Sequence, residues 1–382
     1  MIRLGMVGGG QGAFIGAVHR IAARIDGRFQ LVAGALSANP ERALASAKQL
    51  HISPERSYSD FKQMAIEEAK REDGIQAVTI VTPNHMHYPA AKAFLEQGIH
   101  VICDKPMTSS LADALELAQI AKRSEVMFVL THNYSAYPMV RQARAMVENG
   151  DLGNIRVIQA EYAQDWLTEA SELGDNKQAQ WRTDPKRSGP AGCLGDIGTH
   201  AYHLARFISG LKLEKVSADL TSFVEGRQLD DNVHSMLRFE KGAKGMLWSS
   251  QVAPGNENGL KVRIYGDKGG LSWEQESPNR LVFDKFGSAQ QILTRGGHGY
   301  TGSEHLVRIP AGHPEGYLEG FANLYNEIAD GIEACATGKL ASDVLNDSLL
   351  PTVSDGVDGL EFIQAILDSS EADGRWTSLG GA

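Results

Sequence analysis

The chain opens on an apolar run, Ile2-Arg3-Leu4-Gly5-Met6-Val7, that ends in Gly8-Gly9-Gly10-Gln11-Gly12-Ala13 and passes at once into an apolar helical pattern. A glycine cluster between a strand and a helix constrains a fold strongly, because it is useful only where the backbone turns tightly or something must approach it closely. Gly8, Gly10 and Ala13 occupy the three small positions of G-x-G-x-x-G/A. That pattern supplies a tight turn, close backbone approach to a pyrophosphate, and a small residue where helix meets strand. The helix N-terminus then faces the phosphates, which makes Gln11, Gly12, Phe14 and Ile15 candidate contacts as well.

Residues 1–131 continue the alternation of strand and helix. Strands are expected at 3–7, 30–36, 77–81, 100–103 and 126–130, and helices at 12–25, 40–50, 61–72, 89–97 and 111–123. Most of the strands are short apolar runs without alternation, as parallel strands covered on both faces require. Ser59-Asp60 and Ser109-Ser110 supply helix caps. The fold class is therefore a Rossmann domain, a doubly wound parallel sheet, at 1–131, followed by an α+β domain at 132–382 with a large open, mainly antiparallel sheet. That second part starts with a helix at 139–148 and a strand at 155–161, then a loop-rich stretch at 165–195. A helix carrying Asp196 and His200 follows. Strands come next at 216–223, 233–239, 245–251, 261–265, 270–273 and 280–283, and helices at 316–336 and 345–368. Alternation such as Lys261-Val262-Arg263-Ile264-Tyr265 indicates one packed and one wetted face.

Composition narrows the function classes. Thirty-seven basic residues stand against 47 acidic ones, a net charge of −10. This disfavours nucleic acid or an anionic membrane as partner, since phosphate backbones need basic clusters. Cys103, Cys193 and Cys335 are scattered and show no zinc spacing, which fits a reducing compartment. With no signal-peptide pattern and no apolar stretch near the ~20 residues that span a bilayer, a cytoplasmic protein is expected.

Ligands in a doubly wound sheet sit beyond the carboxyl ends of its strands. Thr82, Pro83, Asn84 and His87 follow one such strand, and Asp104 and Lys105 follow another. A lysine held there before a proline, beside a positive nicotinamide, is suited to proton transfer. The second strand does not end in the acid that usually holds a ribose 2′-hydroxyl. Ser37 and Arg42 stand nearby instead, so NAD and NADP both remain open. The pair His85 and His87 has no nearby acid, and no metal is expected. Asp196 and His200 are spaced i, i+4, which places them on one helix face, with His203 close to it. Taken alone, the pair reads as an N-cap aspartate and a satisfied core histidine. The nucleotide turn and Lys105 favour an acid–base set. Ile197, Leu204 and Ile208 are expected in the core.

Together, Gly8-Gly9-Gly10, Thr82-Pro83-Asn84 with His87, Asp104-Lys105-Pro106 and Gly195-Asp196-Ile197-Gly198-Thr199-His200 resemble the glucose–fructose oxidoreductase / inositol dehydrogenase / rhizopine-catabolism (Gfo/Idh/MocA) family over nearly the whole length. The family's Glu-Lys-Pro is Asp104-Lys105-Pro106 here. The resemblance implies an NAD(P)-dependent oxidoreductase of sugars or cyclitols. In it, Lys105 and His200 handle the proton of the reacting hydroxyl and Asp196 orients the substrate. It further implies cofactor contacts at Asn133, Trp181 and Arg182, and a sugar pocket lined by Tyr134, Tyr137, Gln164 and Trp166. Aromatic faces and amides suit a polyhydroxylated ligand. A homo-oligomer, dimer or tetramer, is implied through the large sheet. Residues 1–16 and Gln164-Asp165-Trp166-Leu167 resemble a subgroup linked to trehalose, implying reduction of 3-keto-glucosides or 3-keto-disaccharides. An inositol dehydrogenase, a non-catalytic NAD(P) sensor, and NAD-assisted hydrolysis or lyase chemistry are the competing readings.

Overall fold

A computed structural model describes residues 1–301 and 304–380. The chain forms two compact units: Met1–His132 with Tyr317–Asp358, and Asn133–Gly316 with Gly359–Ala382. Residues 317–358, which the sequence reading groups with the second domain, thus belong to the first unit.

The first unit is a five-stranded parallel sheet in the order β2-β1-β3-β4-β5. Its strands are β1 (Ile2–Gly8), β2 (Phe29–Ala35), β3 (Ala77–Val81), β4 (His100–Cys103) and β5 (Phe128–Leu130). β3, Ala-Val-Thr-Ile-Val, is buried at every position, which is why its sequence shows no alternation. Asp60 and Ser110 cap the Phe61–Lys70 and Leu111–Arg123 helices through the Lys62 and Asp113 amides. The Tyr317–Ala336 helix packs on the first helix, Phe14–Ile25. At this contact the Tyr325 hydroxyl lies 2.9 Å from His19 Nδ1 and 2.8 Å from Thr79 Oγ1, so one buried polar chain links the two helices to β3.

The single helix expected at 345–368 is two, Ala341–Asn346 and Val353–Glu371. Pro351 interrupts it, since proline lacks an amide hydrogen and disfavours helical geometry in the residue before it. The Pro351 carbonyl instead accepts the Leu130 amide of β5.

The second unit is a nine-stranded sheet in the order β13-β12-β11-β10-β6-β9-β8-β7-β14. Its strands are β6 (Ile155–Ala163), β7 (Leu213–Thr221), β8 (Asn232–Phe239), β9 (Lys244–Ser250), β10 (Gly259–Gly266), β11 (Gly269–Glu274), β12 (Arg280–Lys285), β13 (Gln291–Thr294) and β14 (Thr377–Ser378). All pairings are antiparallel except β6 with β9. The Thr199–Ser209 helix packs on β6 and β10, with the Pro138–Glu148 helix beside it. Ile197, Leu204 and Ile208 are in the core, as expected. Val157, Met236 and Met246 remain exposed on the sheet. β13 and β14 were not expected; at four and two residues they are too short to show a period. The loop-rich stretch contains short helices at Lys177–Arg182 and Pro185–Ser188, capped by Asn176 and Asp184. Among the described residues no helix is long and apolar enough to cross a membrane.

Candidate active site

At the carboxyl end of β1, Gly8, Gly9 and Gly12 all adopt positive φ, +80°, +71° and +79°. L side chains rarely adopt this conformation, so the glycines are needed here. A Cβ on Gly10 would lie 2.6 Å from the Leu36 carbonyl at the end of β2. One on Gly16 would lie 2.4 Å from Gly9 Cα, so at Gly16 the helix backbone packs directly against the turn. Arg20, one helical turn further on, donates from Nη1 to the Gly9 carbonyl at 2.6 Å.

No side chain caps the Phe14–Ile25 helix at Ala13, and its first turn contains no acid. The Pro40–Gln49, Phe61–Lys70 and Leu111–Arg123 helices of the same unit are each capped by a side chain. Amide donors at the end of a helix, next to an open glycine turn, suit an anionic group such as a pyrophosphate. Around Gly12, a Cβ would meet nothing within 4 Å. Residues 8–15 thus fit a dinucleotide. Ser37 is half-buried past β2 and its Oγ accepts the Asn39 amide, while Arg42 is exposed.

The ends of β3 and β4 are tied together by His87. Its Nδ1 lies 2.7 Å from the Pro106 carbonyl and its Nε2 2.8 Å from the Thr82 carbonyl. Burial pushes this imidazole below its ordinary pKa, against the opposing pull of Asp104 and the two carbonyls. His87 therefore braces the segments bearing Thr82 and Lys105, and both of its nitrogens face backbone oxygens. The Lys105–Pro106 peptide is cis. Asp104 Oδ1 accepts the Lys105 amide at 2.9 Å and the Thr131 hydroxyl at 3.0 Å. The side chain of Asp104, one methylene shorter than the glutamate of the family pattern, thus folds back onto its neighbour's backbone. Pro83 and Asn84 begin the turn that leads to His87.

In the second unit, Asp196 lies inside a π-helical turn, Leu194–Gly198, that runs into the α-helix Thr199–Ser209 bearing His200. The sequence reading put both residues on one regular helix. Here the first turn is wide, and the small residues in it matter: a Cβ on Gly198 would crowd Ser249 Oγ and Leu194 Cδ1. Asp196 is not a cap. Its Oδ2 accepts from Arg182 Nε at 3.1 Å and from Gln251 Nε2 at 2.8 Å. The Arg182 guanidinium also stacks on Trp181, 4.2 Å from the ring centroid, and faces Trp166 at 5.9 Å.

His200 is buried, with the Tyr134 ring edge-on at 4.9 Å and the Tyr162 ring at 6.2 Å. The two tyrosine hydroxyls are 2.8 Å apart. Tyr162 donates to Asn258 Oδ1, which also accepts from Gln164 Nε2, and Gln164 Oε1 accepts the Trp166 indole N–H. Burial raises the Tyr134 phenol above its ordinary pKa, with the Asp196 charge adding to the effect. Tyr137 is buried, edge-on to Trp273 and tilted against Tyr134. Asn133 is buried at the head of the same segment. The second unit thus brings Tyr134, Gln164, Trp166, Trp181, Arg182, Asp196 and His200 into one linked network. Sequence reasoning missed Tyr162, Gln251 and Asn258. The period-2 burial along β6, at Ile158, Ala160 and Tyr162, was the signal for the first. The other two stand at strand ends with no pattern of their own.

Residues 2–132 match the family described as "Oxidoreductase family, NAD-binding Rossmann fold", and residues 140–272 match the "GFO/IDH/MocA C-terminal domain". The chain belongs to the GFO/IDH/MocA family of oxidoreductases. It is similar to an oxidoreductase from Sinorhizobium meliloti, 56% identical over 98% of this chain and 99% of that one, with a TM-score of 0.88. It is also similar to an inositol dehydrogenase homolog from Azotobacter vinelandii complexed with NAD+. That match is 37% identical over 99% of this chain and 97% of that one, with a TM-score of 0.95. The same homolog is known complexed with NADH and myo-inositol. Levoglucosan dehydrogenase of Pseudarthrobacter phenanthrenivorans is 28% identical over 99% of this chain and 98% of its own. The protein is therefore an NAD-binding oxidoreductase of a family that includes sugar and inositol dehydrogenases.

Proposed function

We propose that the protein interconverts a ring hydroxyl and a ketone on a neutral sugar or cyclitol. The observation that carries this reading is the Asp196 carboxylate, held by Arg182 and Gln251 in the turn that leads to His200. Around it lie aromatic rings and amides suited to a polyol, in a family whose A. vinelandii member is complexed with NADH and myo-inositol. The Arg182 charge is paired with Asp196, which favours an uncharged ligand over a sugar phosphate.

Residues 8–15 would hold the pyrophosphate of the cofactor, which when bound supplies the hydride acceptor or donor. In the oxidative direction the carbon–hydrogen bond gives up its hydrogen with both electrons. His200 takes the hydroxyl proton as general base, and Lys105 polarises the reacting oxygen and shares in that proton transfer. Asp196 accepts hydrogen bonds from neighbouring hydroxyls and orients the ring. We assign nucleotide binding to residues 1–131, and substrate binding and oligomerisation to the second unit, residues 133–316 and 359–382. With Ser37 half-buried and Arg42 exposed where an acid would exclude a 2′-phosphate, use of NADP as well as NAD is expected.

The test is a cofactor-by-substrate screen at the nicotinamide absorbance band. It uses NAD and NADP with myo-inositol, scyllo-inositol, glucose, levoglucosan and trehalose, and NADH and NADPH with 3-keto-glucosides. On the active substrate, Lys105→Ala and His200→Ala are each expected to lower kcat about a hundredfold or more while NADH binding persists. Near-native turnover in both variants overturns the assignment. Preference for a 3-keto-glucoside over the inositols would place the protein with the disaccharide-using members.

A further inference from the structure

Asp230 stands in Leu229-Asp230-Asp231-Asn232, just before β8, far in sequence from the residues of the proposed site. It nonetheless holds three consecutive amides at the start of the turn that carries Asp196. Its Oδ1 accepts from Gly192 N–H at 2.6 Å and its Oδ2 from Leu194 N–H at 2.8 Å, while its backbone carbonyl accepts from Cys193 N–H at 2.9 Å. The Gly192 carbonyl in turn accepts the Asp196 amide at 2.9 Å. The fit is close: a Cβ on Gly192 would lie 2.1 Å from the Asp230 carbonyl oxygen.

The next residue reaches Asp196 from the other side. The Asp231 carbonyl accepts the Gln251 amide at 2.8 Å, and the Gln251 side chain donates to Asp196 Oδ2 at 2.8 Å. Asp196 is thus tied to one short segment by two routes, from its backbone through Gly192 to Asp230 and from its carboxylate through Gln251 to Asp231. A carboxylate that accepts two amides across its two oxygens sets distance and orientation together, which a single hydrogen bond does not.

We infer that Asp230 is a positioning residue for the reaction, setting the turn that carries Asp196. This rests on the proposed role of Asp196. An amide in place of the carboxylate would turn a donor toward one of the two N–H groups, and the turn would shift. Misplacement of about 1 Å can cost about a hundredfold in rate with little change in binding.

The experiment is a double-mutant cycle with Asp196→Asn and Asp230→Asn in the full-length protein, using the most active substrate of the screen. Asp230→Asn is expected to lower kcat tenfold to a hundredfold, roughly, with substrate KM and NADH Kd each within about twofold. Asp196→Asn should abolish that sensitivity, so that the double variant is no slower than Asp196→Asn alone. Multiplicative losses, or a near-native kcat for Asp230→Asn, overturn the inference while leaving the site assignment standing. A near-native Asp196→Asn, or no turnover of any panel member by the unsubstituted protein, overturns the site assignment and the inference with it. If Asp230→Asn does not fold, Asp230→Ser, which keeps one acceptor, takes its place in the cycle. Failure of both to fold assigns Asp230 a general structural role and overturns the inference.

Discussion

The glycine turn distinguishes two physical reasons for a glycine at the same site. Gly16 is needed because a methyl group would strike the Gly9 backbone, although its own dihedrals are ordinary. Gly12 has open space but a φ of +79°. Gly16→Ala is expected to push the helix off the turn and weaken NADH binding tenfold or more, roughly, because a backbone pair has no flexible end that can yield. Gly12→Ala should cost about 1–2 kcal/mol of stability through dihedral strain, with a smaller effect on affinity. Fluorescence titration of NADH and thermal melting separate the two, and equal affinity losses would contradict the distinction. The fingerprint assigns the small residue between helix and strand to Ala13, and Gly16, outside the fingerprint, also packs against the turn. Both are visible in the sequence as small residues. That Gly16 packs against the Gly9 backbone depends on how the helix enters the turn. Asp196 shows the same limit: D-x-x-x-H is legible, but its partners Arg182 and Gln251 lie 14 and 55 positions away and have no motif.

Most strands and long helices were legible because each repeats one periodicity long enough to read, as in the buried runs of the first sheet and the alternation of β10. Helix ends followed local chemistry, and the break at Pro351 did as well. The sequence could not show which helix packs on which strand. The Tyr325 hydroxyl, in a helix near the C-terminus, bridges His19 and Thr79 near the N-terminus. Tyr325→Phe would leave both partners buried, each without its hydrogen bond to Tyr325. A loss of about 1–3 kcal/mol is expected, read as a lower melting temperature. Unchanged melting would mean that the bridge contributes nothing net. Burial pushes Tyr325 well above its ordinary pKa, with the Asp104 charge adding to this and Thr79 opposing it, so the hydroxyl stays protonated at neutral pH.

On the scale of the molecule, the two units share one vulnerability to acid. Burial lowers His19 to about 4, with the Arg20 charge adding to it and Asp104 opposing. It lowers His203 to about 3, with Arg206, Arg141 and Arg144 adding to it. Unfolded imidazoles protonate near 6.5, so the unfolded chain binds more protons throughout the window below that. Stability from these groups is complete above about pH 6.5 and falls as the pH drops toward 4. The loss at pH 4 is about 3 kcal/mol for His19 and a similar amount for His203. Melting temperatures measured from pH 7.5 to 4 should therefore fall with pH, and a flat profile would contradict the neutral burial of both. The order of elements, the two fold types, the nucleotide turn and the family motifs are local properties, carried by residue type and spacing within short windows. The inclusion of residues 317–358 in the first unit, the π turn under Asp196, the bracing of Lys105 by His87 and the hold of Asp230 on the turn before Asp196 all depend on atoms that meet only after folding. Hydrogen bonds and close packing join residues through space at separations of tens to hundreds of positions, and no local period records which partner each will find.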